Sequence, residues 1–397
     1  MPKGNILIGQ SGGPTAVINA SLAGLLSEIS LTGFAGQTFG LPMGLEGLLN
    51  QREPIELSHL SQLQLIQLSH TGGAVLGSSR VKPGEPELDQ ALAWLKRYDV
   101  RYFAFMGGNG SLQTPLELER LARAEGYELY CVGVPKTIDN DLVGTDHAPG
   151  YGSAARWLAM ATQDSGLDLY TMRGFDHFKV LETMGRHTGW LAAATSLARH
   201  SANTTPHLIL VPEIIFDPEA FLAQVEQIFR REGCVLVVAA EGVRNAEGKF
   251  LASLNQELGR DALGKSLLSI GEGVSGYLCQ LVKTRLGLKV RYDKPGTLQR
   301  GTACVSPVDQ VEAWELGKTA ARYLLQGQSG IMPALHRLST EPYRCEIVPM
   351  VLNEVVGREK TLPPEFLHAG GLNEEAFRHY ATPLIGPALA EPWSSRR

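Results

Sequence analysis

The stretch Val134-Pro135-Lys136-Thr137-Ile138-Asp139-Asn140-Asp141-Leu142-Val143 ends one apolar run and opens a short polar turn that carries a lysine, a hydroxyl and two carboxylates. An apolar strand that stops at functional side chains is typical of open α/β sheets, where ligands sit beyond the carboxyl ends of the strands. Working outward, further short apolar runs bounded by glycine or proline read as strands: Asn5–Gly9, Arg101–Met106, Glu128–Val134, His177–Glu182, His207–Pro212 and Val235–Ala240. Amphipathic segments between them, Ala16–Ser30, Leu88–Arg97, Leu112–Ala124, Gly152–Ser165, Thr188–His200, Pro218–Arg231 and Leu263–Leu286, read as helices. The alternation predicts parallel sheets covered by helices on both faces.

The turn itself suits phosphoryl transfer. An attacking alcohol must lose its proton while charge spreads over the phosphoryl oxygens, so a carboxylate base is needed beside a cation and a metal ligand. Asp139, Lys136 and Asp141 are candidates for those three roles. A merely polar turn explains the same residues, because Asn and Asp are favoured in turns for their local hydrogen bonds. The neighbouring clusters have to decide between the two.

A length of 397 residues predicts two domains or one large composite unit, and 44% apolar content is ample for burial. A net charge of −5 offers no footprint for nucleic acid or an anionic membrane. Met1-Pro2-Lys3-Gly4-Asn5 runs straight into a strand, and no apolar stretch is long enough to span a bilayer, so a cytoplasmic protein is expected. The five scattered cysteines suggest neither a disulfide framework nor a zinc site. Prolines crowd the last sixty or so residues (among them Pro333, Pro349, Pro363 and Pro364), which predicts an irregular C-terminal wrap.

Glycine-rich clusters fall at the predicted strand ends. Gln10-Ser11-Gly12-Gly13-Pro14-Thr15 and Met106-Gly107-Gly108-Asn109-Gly110-Ser111 each follow a strand and open a helix, where backbone N–H groups can approach phosphate. The first matches neither the dinucleotide nor the P-loop signature. Thr71-Gly72-Gly73 to Gly77-Ser78-Ser79-Arg80 ends in an arginine suited to bridging phosphates. Met184-Gly185-Arg186 follows another strand, and Arg186 could neutralise a transferring phosphoryl group. Glu241-Gly242 follows Val235–Ala240, and Arg291 and Arg300 flank Lys294 to Gln299. Taken singly, a tight turn or a surface ion pair accounts for each.

In this order, Ser11-Gly12-Gly13, Gly77-Ser78-Ser79-Arg80, Gly107-Gly108-Asn109-Gly110-Ser111, Pro135 to Asp141, Met184-Gly185-Arg186 and Leu298-Gln299-Arg300-Gly301 resemble the phosphofructokinase family over nearly the whole chain. The resemblance implies two doubly wound, Rossmann-like α/β domains with the active site in the cleft between them. Residues 1–150 with about 300–335 would form the phosphoryl-donor domain, 151–299 the sugar-acceptor domain, and 336–397 a C-terminal extension wrapping both. It implies phosphoryl transfer from pyrophosphate or ATP to the C1 hydroxyl of fructose 6-phosphate, with Mg2+ as cofactor, in a homodimer or homotetramer. Asp139 would be the base, with Thr137, Lys136 and Arg186 catalytic beside it. Gly12, Arg80, Gly108, Asn109, Gly110 and Ser111 would hold the donor phosphates, and Asn109 and Asp141 the metal. Met184, Gly185, Glu241, Arg291, Arg300, His177 and Thr297 would bind the acceptor, Arg291 reaching in from a neighbouring subunit.

The chain departs from the family pattern in ways that bear on both substrates. Asn109 stands where the family usually has a metal-binding aspartate. Gly110 leaves open the space that an aspartate fills in pyrophosphate users, which permits ATP, whereas Lys136 and the long C-terminal segment point to pyrophosphate; no aromatic platform for adenine follows Arg80. His177 and Thr297 replace two cations that hold the 6-phosphate, with Arg173 and Lys179 as possible substitutes. That motivates a different 6-substituted or unphosphorylated acceptor, such as 6-deoxy-6-sulfofructose, as the alternative substrate. A non-catalytic sugar-phosphate sensor is the remaining alternative. The predicted first helix has no lysine or arginine to bind a nucleotide effector, so strong allosteric control by nucleotides is not expected.

Overall fold

The computed structural model describes residues 3–200, 204–254, 268, 271–301, 304–368 and 370–390. The chain divides into two compact units, residues 1–153 with 300–360 and residues 154–299 with 361–397. The first unit begins with β1 (Asn5–Gln10), α1 (Ile18–Leu31), β2 (Thr38–Leu41), β3 (Ile55–Glu56), α2 (Glu85–Arg97), β4 (Val100–Gly107), α3 (Asn109–Ala124) and β5 (Tyr130–Pro135). There follow α4 (Tyr151–Thr171), β6 (Phe178–Thr183), β7 (Leu208–Leu210), α5 (Pro218–Glu232), β8 (Val235–Ala240), α6 (Gly273–Leu286) and β9 (Val290–Asp293). The chain then returns to the first unit as α7 (Pro307–Leu325), β10 (Ile331–Thr340) and β11 (Tyr343–Val351).

The seven-stranded sheet of the first unit has the order β11-β10-β5-β4-β1-β2-β3. Its centre is parallel, with Ile8 opposite Ala104 and Ala104 opposite Val132. Ile6, Leu7 and Ile8 are all fully buried, the continuous apolar run expected of a strand covered on both sides. Alternation along the strands sorts the two faces. Ile6, Ile8, Ala104 and Val132 pack under α1 and α7, whereas Leu7, Phe103, Phe105 and Cys131 pack under α2 and α3. The two helices of the first face touch through glycines: a Cβ on Gly24 would meet the Trp314 carbonyl at 2.1 Å, and one on Gly317 the Ser21 carbonyl at 2.0 Å.

The first part of the proline-rich C-terminal region is regular, where composition predicts an irregular wrap. Residues 331–351 form the antiparallel β10–β11 pair, with Pro333 directly opposite Pro349. Two residues that lack N–H groups can face each other at a non-hydrogen-bonded position of the ladder. Among the described residues, β10 pairs with β5 at Ile331, opposite Val132, and with β11 along its length.

The second unit holds a four-stranded parallel sheet, order β7-β8-β6-β9, with Phe178 opposite both Val235 and Val290. Aromatic rings of the 366–380 segment pack against the helix Trp190–Ala194 of this unit. Trp190 meets Phe366 and Tyr380 with ring centroids 5.8 and 5.4 Å apart. The expected helix Thr188–His200 is a helix over Trp190–Ala194 that tightens to a 3₁₀ turn at Thr195–Ala198. Much of the first part of the expected helix Leu263–Leu286 lies outside the described residues; α6 covers the rest. Among the described residues no helix is long and apolar enough to cross a membrane.

Candidate active site

Sheet order brings the three donor-side clusters together. Because β5, β4 and β1 are neighbours, the loops at their carboxyl ends lie side by side and bond to one another. The Ser11 N–H donates to the Met106 carbonyl at 2.9 Å, the Lys136 N–H donates to the Gly107 carbonyl at 3.1 Å, and the Ser11 and Ser111 hydroxyls are 2.8 Å apart. The Arg80 cluster joins the same floor, since the Gly12 N–H donates to the Ser79 carbonyl at 3.0 Å and the Ser78 hydroxyl to the Gly12 carbonyl at 2.6 Å. Gly12 has φ +77°, and a Cβ there would come within 3.2 Å of Lys136 Nζ. Glycine therefore serves both the left-handed turn and the approach of the lysine.

Lys136 is buried, and its Nζ donates to the Gly13 carbonyl at 2.7 Å. Burial pulls its pKa down to about 8, the Arg300 guanidinium adds to the drop, and Asp141 and Asp139 oppose it. Arg300 comes from the returning segment and lies against the same turn: a Cβ on Gly13 would stand 2.7 Å from its Cζ. Sequence reading grouped Arg300 with the acceptor residues, and its observed neighbours within the first unit are donor-side. Beside Gly110, the nearest atom to an added Cβ is Lys82 Cε at 3.9 Å, so the position is open.

The Asp139–Asp141 turn is organised by Thr137. Its hydroxyl accepts the Asp139 N–H at 3.1 Å and donates to the Asp141 carboxylate, while Asn140 takes a left-handed φ of +55°. Burial raises the pKa of Asp141, the Thr137 hydrogen bond opposes the rise, and nearby Glu359 adds to it. Asp141 Oδ1 is buried with no hydrogen-bond partner. An orphaned carboxylate oxygen of this kind is what a hard cation would satisfy, so Asp141 fits a magnesium contact. Asn109 is differently occupied: its Oδ1 accepts the Gly357 N–H at 2.8 Å and its amide nitrogen donates to the Arg358 carbonyl. Among the described residues no group of three or more His, Cys, Asp or Glu side chains is arranged to hold a metal.

Behind the turn lies a charged network built on Asp146, His147, Glu312 and Arg337. The buried His147 ring contacts Asp146 Oδ2 at 2.8 Å through Nδ1 and Glu312 Oε2 at 2.7 Å through Nε2. Burial alone would lower the imidazole pKa, but the Glu312 and Asp146 carboxylates override it and hold it at about 9. Burial likewise works against ionised Asp146, and His147 and Arg337 hold its pKa down to about 2.

In the second unit, the loops after β6 and β8 meet. The Glu241 N–H donates to the Thr183 carbonyl at 2.9 Å and the Gly242 N–H to the Gly185 carbonyl at 3.1 Å. A Cβ on Gly242 would sit 1.9 Å from the Arg186 carbonyl, so only glycine permits this contact. Met184, Gly185, Arg186 and Glu241 are thus brought together, and Gln299 Oε1 accepts the Met184 N–H at 2.9 Å. Thr297 is exposed in the Gly296–Arg300 turn. His177 and Arg291 lie at the other end of the sheet. Arg291 is opposite Lys179 and its Nε donates to Asp176 at 3.0 Å, while His177, just before β6, is separated from Met184 by roughly 20 Å of strand rise. Lys179 is buried and committed to Asp168 and Asp293, and Arg173 donates to the Tyr170 carbonyl at 2.7 Å and covers the Tyr170 ring.

A family model for phosphofructokinase matches residues 5–324. A pyrophosphate–fructose 6-phosphate 1-phosphotransferase from Xanthomonas campestris is 41% identical over 393 residues, 97% of this chain and 92% of its own length. A sulfofructose kinase from Alkalicoccus urumqiensis is 36% identical over 371 residues, 91% of each chain. The crystal structure of a pyrophosphate-dependent phosphofructokinase from Nitrosospira multiformis aligns with a TM-score of 0.86 at 32% identity, covering 100% of this chain and 95% of that one. With its ordered glycine loops, its Lys136–Asp141 turn and relatives matched along nearly their whole length, this chain belongs to the phosphofructokinase family.

Proposed function

We propose that this protein transfers a phosphoryl group from pyrophosphate to the C1 hydroxyl of fructose 6-phosphate. The observation that carries the reading is the buried Lys136 on the donor floor, hydrogen-bonded to the Gly13 carbonyl and flanked by Asp139 and Asp141. Pyrophosphate is favoured as donor by the charge near that floor, which includes Lys136, Arg80 and Arg300. The Xanthomonas campestris relative bears the same activity in its name.

In the reaction Asp139 takes the C1 hydroxyl proton as the new O–P bond forms, and the bridging P–O bond of pyrophosphate breaks to release orthophosphate. Lys136 and the backbone N–H groups near Gly12 and Gly108 hold the donor phosphates, and Arg186 meets the charge on the transferring group. Magnesium, when bound, would neutralise donor charge, with Asp141 as its protein contact. Because His177 and Arg291 lie away from Met184 and Glu241 within one chain, a second copy supplying them in a homodimer or homotetramer is part of the reading.

A second acceptor reading has its own support. Both cations considered as substitutes for the missing phosphate contacts, Lys179 and Arg173, are engaged elsewhere, and a sulfofructose kinase is among the relatives. The test crosses pyrophosphate and ATP with fructose 6-phosphate and 6-deoxy-6-sulfofructose, with Asp139→Asn as control. The proposal expects the highest kcat/KM for pyrophosphate with fructose 6-phosphate, and a loss of turnover of about 100-fold or more in Asp139→Asn with little change in melting temperature. Preference for the sulfonated sugar would replace the first acceptor with the second, and full turnover by Asp139→Asn would reject the base.

A further inference from the structure

After β11 the chain passes back over the catalytic turn as a short strap, residues 357–360, that fastens at both ends. At one end Asn109, the first residue of α3, is held by Gly357 and Arg358 through both atoms of its amide. At the other, the Lys360 N–H donates to the Asp141 carbonyl at 2.9 Å. The Lys360 side chain then turns inward. Its Nζ is within hydrogen-bond distance of Asn140 Oδ1 at 3.2 Å, the Thr145 carbonyl at 3.0 Å and the Asp146 carbonyl at 2.7 Å.

An ammonium has three N–H groups, and here three oxygens of one loop receive them. Asn140 Oδ1 also accepts the Ala148 N–H at 3.1 Å, so Lys360 and the asparagine together tie the two ends of the 140–148 loop. Asn140 is the left-handed residue between the two aspartates, and its backbone angles set the directions in which Asp139 and Asp141 leave the turn. An ammonium held by three oxygens of one loop is well placed to hold the geometry of the turn.

We propose that Lys360 is a positioning residue for phosphoryl transfer, acting through Asn140 and the Asp139–Asp146 loop without touching substrate. The inference rests on Asp139 being the base. It also gives Asn109 a role in this chain, as the anchor of the strap on the donor loop.

The test compares Lys360→Met, which keeps the stem and removes every donor, with Lys360→Gln, which keeps two. In the Met variant kcat falls about 10- to 100-fold, as expected when a reacting group is misplaced by a fraction of an ångström to one ångström. KM for either substrate changes by less than about twofold, and the Gln variant falls between it and the parent. Hydrogen exchange followed by mass spectrometry shows faster exchange in the 139–148 segment and unchanged exchange in β1 and β4. Unchanged kcat in Lys360→Met overturns the proposal. So does a fall in kcat that tracks a general loss of protection across the sheet, because the lysine would then only stabilise the fold. If Asp139→Asn is inactive while Lys360→Met turns over normally, the positioning role fails and the assignment of the base stands; if Asp139→Asn is fully active, the base assignment fails first.

Discussion

The low pKa of Lys136 makes opposite demands on activity and on stability, and pH can separate the two. At about 8, against an ordinary 10.5, only about a tenth of the free protein carries the ammonium at pH 9 and about a hundredth at pH 10. Pyrophosphate binding that needs this charge should therefore lose about tenfold in kcat/KM for each pH unit above 8. An unperturbed lysine would leave the rate nearly flat to pH 10. The stability effect runs the other way: between about 8 and 10.5 the unfolded chain binds the extra proton, so folding gains with rising pH. At 1.36 kcal/mol per pH unit, the drop from 10.5 to about 8 corresponds to about 3 kcal/mol of penalty on the folded ammonium form at neutral pH. The assay is initial rate at limiting pyrophosphate and saturating magnesium from pH 6.5 to 10, on the parent and on Lys136→Arg, with urea unfolding of parent and Lys136→Met at pH 7. Lys136→Arg should lose the alkaline limb, and Lys136→Met should be more stable by up to about 3 kcal/mol while losing about 100-fold or more in kcat. A parent profile flat to pH 10, or a Met variant less stable than the parent, would refute the reasoning.

Two further outcomes follow from the same loops. His147 is raised from 6.5 to about 9, so its contribution of up to about 3 kcal/mol is fully present below pH 6.5 and is lost as pH rises through 9; His147→Asn should unfold at lower urea than the parent at pH 6.5, with the gap narrowing at pH 9.5. Magnesium should raise the melting temperature of the parent and not of Asp141→Asn, since the orphaned Asp141 Oδ1 is the oxygen it would satisfy, and chelation should abolish turnover; an equal rise in both proteins would move the metal contact elsewhere.

Sequence reading reached the sheet centres because their physics is local. Runs such as Val235–Ala240 are apolar throughout, as strands covered on both sides must be, and the expected and observed strand coincide there. The glycine loops after β1 and β4 were legible for a similar reason, since each lies between a strand end and the next helix, α3 starting two residues after β4. The β10–β11 pair was missed because proline composition outweighed a weak alternation, and Pro333 and Pro349 are tolerated only through being opposite each other. Arg300 beside Gly13 could not be read locally, because its neighbour lies almost three hundred residues away. Lys360 had no signal at all: its acceptors include two backbone carbonyls, and a carbonyl belongs to every residue.

The glycine contact between α1 and α7 sets a timetable for biosynthesis. The face of α1 that meets Trp314 through Gly24, and the free side of β5 that pairs with Ile331, are finished only by residues made after the whole of 154–299. At ribosomal speeds of 5–20 residues per second, the nascent amino-terminal segment waits on the order of 10–30 seconds with an apolar helix face and an open strand edge in contact with water or a chaperone. Slowing translation inside 154–299 by rare codons would lengthen that wait, and the cost would appear as insoluble protein whose sequence is entirely wild type.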